Sequence, residues 1–318
     1  MHPTDLAAAF DLTTVEPDPL TRWAPVFRGT ARDGAPVVVK RTATEEGRAR
    51  AMAGWTTRLR GAGLPVVAPY DAGTPNPQQV GQEWWVVYPF EAGAPYAGGR
   101  DQLAAAGELL GRLHADPVRV DDLGLREYAF PDSTEEDMEG DLVTLERVLG
   151  EQGEAGLAGS VATLGRRWWR DSLPVLRDRA DDLVRTGVCS DYKANNLVFT
   201  GPADGDPAPV LVDPDNGGVE PRLFDLALAV VLFHNECDGA PGRLFTAAEW
   251  QTFATAYLGQ VELTPAEREL WPAALDHMFW EEGSWALEDN DAQAWADPRQ
   301  RAFLLDLAAA GPERYPLP

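Results

Sequence analysis

The sequence predicts an α+β protein of two lobes, a small antiparallel β lobe followed by a larger, mainly helical lobe. Its 318 residues are typical of two domains or lobes rather than of a single compact core. Strand-like patterns rich in β-branched and aromatic residues are concentrated before a Gly- and Pro-rich link, and helical periodicity dominates after it. We therefore expect an N-terminal lobe over residues 1–91, a hinge over residues 92–96 and a C-terminal lobe over residues 97–318.

Strands and one central helix are predicted for the first lobe. The Arg-Asp-Gly turn signal at residues 32–34 separates residues 26–30 from residues 36–40, so these two segments should form a hairpin. Residues 84–91 are apolar and aromatic, which is typical of a further strand that runs into the hinge. Between these strands, residues 44–61 have helical composition and end at glycines.

Helices are predicted for most of the second lobe. Residues 102–114 carry leucines at helical spacing, and residues 226–233 are apolar throughout, which indicates a buried helix. Residues 275–291 combine acids with Trp and Phe and contain no Lys or Arg. Two interpretations of this acidic stretch stay open: a solvated helical face, or a surface that binds a polar and cationic ligand.

Charge and composition restrict the class of partner. A formal net charge of −24 argues against nucleic acid or an anionic membrane surface as a partner, because either would be repelled. No run of apolar residues is long enough for a membrane span, and no signal peptide is expected at the N-terminus. Two cysteines, Cys189 and Cys237, do not make a disulfide framework, so reduced thiols and a cytoplasmic location are expected. The chain is expected to be a monomer or a homodimer.

One predicted hairpin carries groups suited to chemistry. Its strands are residues 197–199 and 210–212, separated by a loop rich in Gly, Pro and Asp. Asp191 and Asn196 precede the first strand and Asp213 follows the second, so a tight hairpin brings all three side chains to the same end. Carboxylate and amide oxygens suit Mg²⁺, and a separate carboxylate can orient a hydroxyl and accept its proton.

The pattern Asp-x-Lys-x-x-Asn at residues 191–196, followed by an apolar strand ending at Asp213, resembles the catalytic and metal loops of the protein-kinase superfamily. More closely, it resembles the family of aminoglycoside phosphotransferases and choline kinases. This resemblance implies a bilobal protein-kinase-like fold with a five-stranded antiparallel sheet. It also implies transfer of a phosphoryl group from ATP or GTP, with Mg²⁺, to a hydroxyl of a small molecule.

The resemblance also implies roles for individual residues. Asp191 would act as the base, Asn196 and Asp213 would hold the metal, and Lys40 and Lys193 would steady phosphates. The nucleotide base would lie against the hinge, and acceptor binding is assigned to acids and an aromatic residue of the second lobe. The residues expected at the base are Tyr88, Phe90 and Glu91, and those expected at the acceptor are Asp215, Glu281, Glu282 and Trp285. For Asp215, a second metal ligand or a turn residue stays open.

The sequence departs from the family pattern at the expected partner of Lys40 and in the catalytic loop, where aminoglycoside kinases more often have His at the position of Lys193. The glutamate expected to pair with Lys40 is missing from the middle of the helix at 44–61, and either Glu45 or Glu46 could replace it only if the helix is shifted. Cys189 stands where the family has His or Tyr, a position that anchors the catalytic loop. Asp225 is expected to bond the backbone of that loop rather than the substrate.

The acceptor is the least determined part of the function. An antibiotic of the aminoglycoside, peptide or nucleoside type, phosphorylated by a resistance enzyme, is the leading hypothesis. A metabolic kinase acting on a choline-, ketosamine- or homoserine-like acceptor is the first alternative. A protein kinase is disfavoured because no Ala-Pro-Glu segment follows Asp213. A pseudokinase that only binds a ligand is a further alternative, motivated by Cys189 and the missing glutamate.

Overall fold

An antiparallel sheet of five strands builds the N-terminal lobe. The structure, a computed structural model, describes residues 2–21, 24–115, 119–201 and 207–318. The strands are β1 (Thr14–Pro19), β2 (Val26–Thr30), β3 (Pro36–Ala43), β4 (Gln78–Val80) and β5 (Glu83–Pro89), placed side by side in the order β1-β2-β3-β5-β4. Two helices accompany them, α1 (Pro3–Ala9) and α2 (Glu46–Gly61). The predicted hairpin of β2 and β3 and the predicted helix after it are confirmed.

Strand alternation decides which side chains of the sheet face the second lobe. Val37 and Val39 of β3 are buried against the side of the sheet that α1 covers. Lys40 must point to the opposite face, because successive residues of a strand alternate between faces. Val38 of β3 lies opposite Tyr88 of the neighbouring strand β5, and both residues line the cleft between the lobes. Lys40 and Tyr88 therefore share one face of the sheet.

The C-terminal lobe is mainly helical, as predicted. One of its helices, Arg222–Leu232, is buried along its whole length, which agrees with the apolar run at residues 226–233. Within the described ranges, no helix combines the length and the apolar character needed to cross a bilayer. The helices are α3 (Arg100–Ala115), α4 (Glu135–Glu151), α5 (Ala158–Arg167), α6 (Leu173–Asp178), α7 (Arg222–Leu232), α8 (Ala247–Leu258), α9 (Pro265–Asp289), α10 (Ala292–Ala296) and α11 (Pro298–Ala309).

Two glycines of α3 allow it to lie close to α8. A Cβ atom built at Gly107 would stand 2.3 Å from the carbonyl oxygen of Phe253, and one at Gly111 would stand 2.6 Å from that of Tyr257. Real Cβ atoms do not approach a carbonyl oxygen so closely, so the two backbones can meet here only because both positions lack a side chain.

Two small sheets flank the segment that carries Asp191 and Asn196. The strands are β6 (Arg126–Glu127), β7 (Arg185–Val188), β8 (Leu197–Thr200), β9 (Ala208–Leu211) and β10 (Gly218–Pro221). β8 and β9 form the predicted antiparallel hairpin, with Leu197 opposite Leu211. Most of the connecting loop, residues 202–206, lies outside the described residues. β7 ends directly before the catalytic loop, and β10 pairs with it on one side and with β6 on the other.

The link between the lobes is extended. β5 ends at Pro89 and α3 begins at Arg100. Ala94 and Phe199 exchange two backbone hydrogen bonds of 2.8 and 2.9 Å, which ties the link to the β8–β9 hairpin. The lobe boundaries at residues 91 and 96 stay a prediction.

Candidate active site

A cleft of about 1520 Å³ lies between the five-stranded sheet and the helical lobe. Residues of both lobes line it, and most of the site residues predicted from the sequence are among them. Glu281 and Glu282 are not part of its lining. The predicted residues that line the cleft are Lys40, Tyr88, Phe90, Glu91, Asp191, Lys193, Asn196, Asp213, Asp215 and Trp285.

Asp191 lines the cleft, and its side chain contacts three neighbours. Its Oδ1 lies 3.1 Å from the Lys193 ammonium, and its Oδ2 accepts hydrogen bonds from the amides of Asn196 (3.1 Å) and Asn216 (3.3 Å). Burial raises the pKa of Asp191 above its ordinary value, and the Lys193 charge opposes that rise. A carboxylate whose proton affinity is increased in this way is better suited to act as a general base.

Lys193 contacts both Asp191 and Glu236, a residue for which the sequence suggested no specific role. Its ammonium lies 3.3 Å from a carboxylate oxygen of Glu236. Glu236 has a left-handed backbone, φ 56°, and its N–H donates to the side chain of Gln300. Glu236 follows the apolar helix without any motif around it, so no signal in the sequence marks it.

The backbone of the catalytic loop is anchored by Asp225, as predicted. The N–H groups of Cys189 and Ser190 donate to its two carboxylate oxygens at 3.1 and 3.0 Å, and the ring of His114 contacts it at 3.0 Å. Cys189 is buried beside these groups, and burial raises the pKa of its thiol well above the ordinary value. The cysteine is therefore a protonated packing residue and not a nucleophile.

Lys40 contacts two carboxylates of the loop that follows β9. Its ammonium bonds Asp213 and lies 3.1 Å from Oδ2 of Asp215. Burial alone would lower the pKa of Lys40, but the charges of Asp215 and Asp213 outweigh it and raise the pKa. Asp215 also accepts a hydrogen bond of 2.8 Å from the hydroxyl of Tyr88. The lysine is therefore charged and has an acidic partner from the second lobe.

Neither candidate glutamate of α2 pairs with Lys40. Glu46 accepts from Arg50 one turn along the same helix, at 2.7 Å, and Glu45 precedes the helix as its N-cap residue. The α2 side chain that reaches the cleft is a base: Arg48 donates from Nη2 to the backbone carbonyl of Asp215 at 3.4 Å.

The residues predicted to border the nucleotide base lie at the end of β5 and directly after it. The N–H of Phe90 already donates to the carbonyl of Pro36, and the guanidinium of Arg28 lies 4.2 Å from the centre of its ring. Glu91 lies 3.9 Å from Arg60.

The acidic face of α9 is divided between packing and the cleft. Asp276 is buried and pairs with Arg167 and Ser172, so its charge is used within the fold. Burial raises the pKa of Glu281 to about 7 and also raises the pKa of Glu282, which the negative charge of Asp191 reinforces. Trp285 is 57% exposed and lines the cleft. Asp289, one helical turn further on, lines it too.

The residues at the predicted metal position fit a divalent cation. The charge of Asp213 contributes to the raised pKa of Asp191, so the two carboxylates repel each other. A bound cation would relieve this repulsion. The amide nitrogen of Asn196 makes both of its side-chain hydrogen bonds in the described part of the chain, which leaves the amide oxygen for a ligand. No three His, Cys, Asp or Glu of the described residues form a closed cage. Mg²⁺ does not require one, since it retains waters and uses phosphate oxygens.

Comparison with known proteins identifies a sequence family and structures of the same fold. A sequence model of the phosphotransferase enzyme family matches residues 22–271. No curated protein matches the chain. An amicoumacin kinase in complex with AMP-PNP and Ca²⁺ has a TM-score of 0.64 at 16% identity, over 99% of this chain and 94% of that one.

Two further solved structures are similar over nearly their whole length. A spectinomycin phosphotransferase in complex with ADP has a TM-score of 0.64 at 13% identity, over 99% of both chains. A microcompartment-associated aminopropanol kinase has a TM-score of 0.62 at 14% identity, over 98% of this chain and 96% of that one. At such identities the likeness is one of fold, and the predicted bilobal protein-kinase-like fold is confirmed.

Proposed function

Because this chain belongs to the phosphotransferase enzyme family, and is a small-molecule phosphotransferase, we propose that it transfers the γ-phosphoryl group of ATP or GTP to a hydroxyl of its acceptor. The resemblance inferred from the catalytic hairpin is confirmed by this membership. The observation that carries the proposal is the meeting of Asp191, Asn196, Asp213 and Lys40 in a single cleft between the lobes.

Each of these side chains has a role that its surroundings support. Asp191 orients the acceptor hydroxyl and takes its proton, and burial increases its affinity for that proton. Lys193, fixed between Asp191 and Glu236, presents an ammonium to the transferring group. Lys40 binds nucleotide phosphates from the sheet, and Phe90 and Glu91, which directly precede the hinge, border the base. Asn196 and Asp213 would hold Mg²⁺, which supplies electrostatic neutralisation of the phosphates when bound.

We assign acceptor binding to the end of the cleft beside α9. Trp285 offers an exposed aromatic face there, while Asp289 and Glu236 add negative charge. Glu282, although it does not line the cleft, is near enough for the charge of Asp191 to raise its pKa. An acidic and aromatic site of this kind favours a cationic acceptor. An antibiotic is our first choice, since two of the structures with the same fold are an amicoumacin kinase and a spectinomycin phosphotransferase.

A metabolic kinase for a small amino alcohol is the alternative, because an aminopropanol kinase has the same fold and such an acceptor also carries an ammonium group. We propose a cytoplasmic enzyme that is a monomer or a homodimer and has no nucleic-acid or membrane partner. The two free thiols and the net charge of −24 support this setting.

A screen of acceptors tests the proposal. The protein would be incubated with Mg²⁺, with ATP or GTP in turn, and with panels of cationic antibiotics and amino alcohols, and the products would be read by mass. We expect one acceptor class to gain a single phosphoryl group, with Asp191→Asn protein as the inactive control. A protein that binds neither nucleotide would contradict the proposal, and one that binds nucleotide but modifies no acceptor would favour the pseudokinase.

A further inference from the structure

We propose that Asp215, fixed by the hydroxyl of Tyr88, is the positioning residue that holds Lys40 in place, so that the phosphate-binding lysine is anchored on the loop after β9 rather than on helix α2. This inference rests on the proposed function, because it takes Lys40 to bind nucleotide phosphates. It assigns Asp215 to the nucleotide side of the cleft, although the sequence suggested the acceptor side.

Helix α2 has no acidic side chain that could hold the lysine. The buried residues of this helix, all of which lies in the described part of the chain, are apolar apart from Thr56. Its first-turn acid, Glu46, is exposed and bonded to Arg50. Arg48, the α2 side chain that lines the cleft, would repel an ammonium. Any acid that orients Lys40 must therefore come from another element.

Asp215 meets the geometric requirements from the opposite side. One of its carboxylate oxygens, Oδ2, lies 3.1 Å from the ammonium of Lys40, and the other accepts the Tyr88 hydroxyl at 2.8 Å. Oδ2 is closed off from solvent and makes no aligned hydrogen bond within the described residues, so the ammonium is the charge that offsets it. Because Tyr88 and Lys40 share one face of the sheet, the hydroxyl and the ammonium approach the same carboxylate from neighbouring strands.

Exposure separates the roles of the two loop carboxylates. The side chain of Asp213 is 35% exposed, whereas that of Asp215 is 7% exposed. Asp213 is thus accessible to a cation that arrives with the nucleotide, and such a cation would compete with Lys40 for it. Asp215 is covered, and leaving a buried carboxylate without its cation is strongly unfavourable. Asp215 is therefore the partner that retains the lysine when Asp213 binds metal.

The arrangement has a consequence for how the two lobes act together. Lys40 belongs to the sheet, whereas Asp215 belongs to the loop that also presents the metal ligand. A displacement of that loop would release the lysine and the metal ligand together. The order of the phosphate site therefore depends on the contact of β3 and β5 with this loop, and not on the position of α2.

Nucleotide binding in the absence of metal tests this role. The affinity for AMP-PNP would be measured by calorimetry in EDTA, where a metal ligand contributes nothing, for the parent, Asp215→Asn, Tyr88→Phe and the control Glu46→Gln. We expect Asp215→Asn to weaken binding about tenfold or more, as for loss of a charged hydrogen bond. Tyr88→Phe should weaken it by a smaller factor, and Glu46→Gln should leave it unchanged.

A double-mutant cycle distinguishes positioning from a general structural effect. Lys40→Met, Asp215→Asn and the double variant would be compared in metal-free affinity and in denaturant unfolding without nucleotide. Positioning through Lys40 requires that the two losses be strongly non-additive. Additive losses, an unchanged or tighter affinity in Asp215→Asn, or a loss seen only with Mg²⁺ would overturn the inference.

Two further outcomes keep the test decisive. If Asp215→Asn does not fold, the comparison rests on Tyr88→Phe, which removes one hydroxyl and leaves the charges in place; an affinity equal to that of the parent would then overturn the inference. If the parent itself binds no nucleotide, the proposed function fails and not merely the placement of the lysine.

Discussion

At the scale of single residues, one ammonium, that of Lys193, pairs with two carboxylates, those of Asp191 and Glu236. The side chain of Lys193 is mostly buried and lies close to both Asp191 and Glu236. Burial would lower the pKa of Lys193, but the charges of these two acids outweigh it and raise the pKa, so the ammonium stays charged. Burial of a charge is tolerated only when it is paired and hydrogen-bonded, and each of the three groups meets that condition. The charges of the three groups therefore offset one another within the fold.

The first prediction concerns Asp191. In Asp191→Asn the side chain keeps its shape but cannot accept a proton, whereas Lys40, Asn196 and Asp213 stay in place. We expect kcat to fall by roughly 10²–10⁴-fold, as for loss of a general base, with nearly unchanged nucleotide affinity. Steady-state kinetics and calorimetry check the two parts. Normal turnover would refute the mechanism, and loss of nucleotide binding would mean that the roles of Asp191 and Asp213 are exchanged.

At the scale of elements, α9 is buried over much of its length and reaches the cleft near its C-terminal end, where we propose that the acceptor binds. Trp285 is exposed there, so Trp285→Ala should raise the acceptor KM by roughly 2–5-fold, as for loss of an exposed cation–π contact, and change kcat less. Glu282→Gln should also raise KM. Val143→Ala, which shortens an exposed apolar side chain of α4, is the matched control. If Trp285→Ala changes KM and kcat by the same factor, or changes neither, the assignment of Trp285 to the acceptor site is wrong.

The contact of α3 with α8 allows a prediction about stability. Gly107→Ala would place a Cβ 2.3 Å from a backbone oxygen of α8, so the helices must separate. We expect a loss of about 1–3 kcal/mol in the free energy of unfolding, typical of overpacking. Gly140→Ala on α4 meets no atom within 4 Å and should be neutral or stabilising. Denaturant titration would measure the free energy of unfolding of both variants. Equal values for Gly107→Ala and Gly140→Ala would contradict the packing argument.

At the scale of the whole molecule, a buried acid links stability to pH. Burial raises the pKa of Glu220 to about 8. Its oxygen accepts from the hydroxyl of Ser190 at 2.9 Å. The charged side chains that act on it are Asp225 of α7, Glu282 of α9 and Arg185 of β7. The folded protein therefore keeps a proton on Glu220 over a pH range in which the unfolded chain has lost it.

The sign of the resulting pH dependence follows directly. Below the ordinary glutamate pKa both states are protonated, and above about pH 8 neither is. Between these limits the folded state binds more protons, so stability falls as pH rises. Glu220→Gln should remove a large part of this fall, on the order of a few kcal/mol since one pKa unit is about 1.4 kcal/mol, whereas exposed Glu136→Gln should keep the parent profile. Unfolding curves from pH 4 to 9, about the range concerned, check this, and identical profiles for all three proteins would contradict it.

Sequence reasoning identified the features that depend on short segments of the chain. Asp191, Asn196 and Asp213 meet because one short hairpin, with Leu197 opposite Leu211, returns the chain to its starting point. The uniformly apolar run of α7 has no polar side to expose, so its burial could be predicted as well. In each case a repeat of a few residues determines the geometry, so it can be read without knowledge of the remaining fold.

Only the tertiary structure decided which charges pair across the cleft. Lys40 and Asp213 are 173 residues apart, and no local pattern indicates that the loop after β9, and not α2, supplies the partners of the lysine. Glu236 reaches Lys193 because of how the segment after α7 packs on Gln300, and Glu281 and Glu282 are partly buried although their sequence also fits a solvated face. Burial and ion pairing depend on the packing of distant elements, and a local sequence pattern carries no information about that packing.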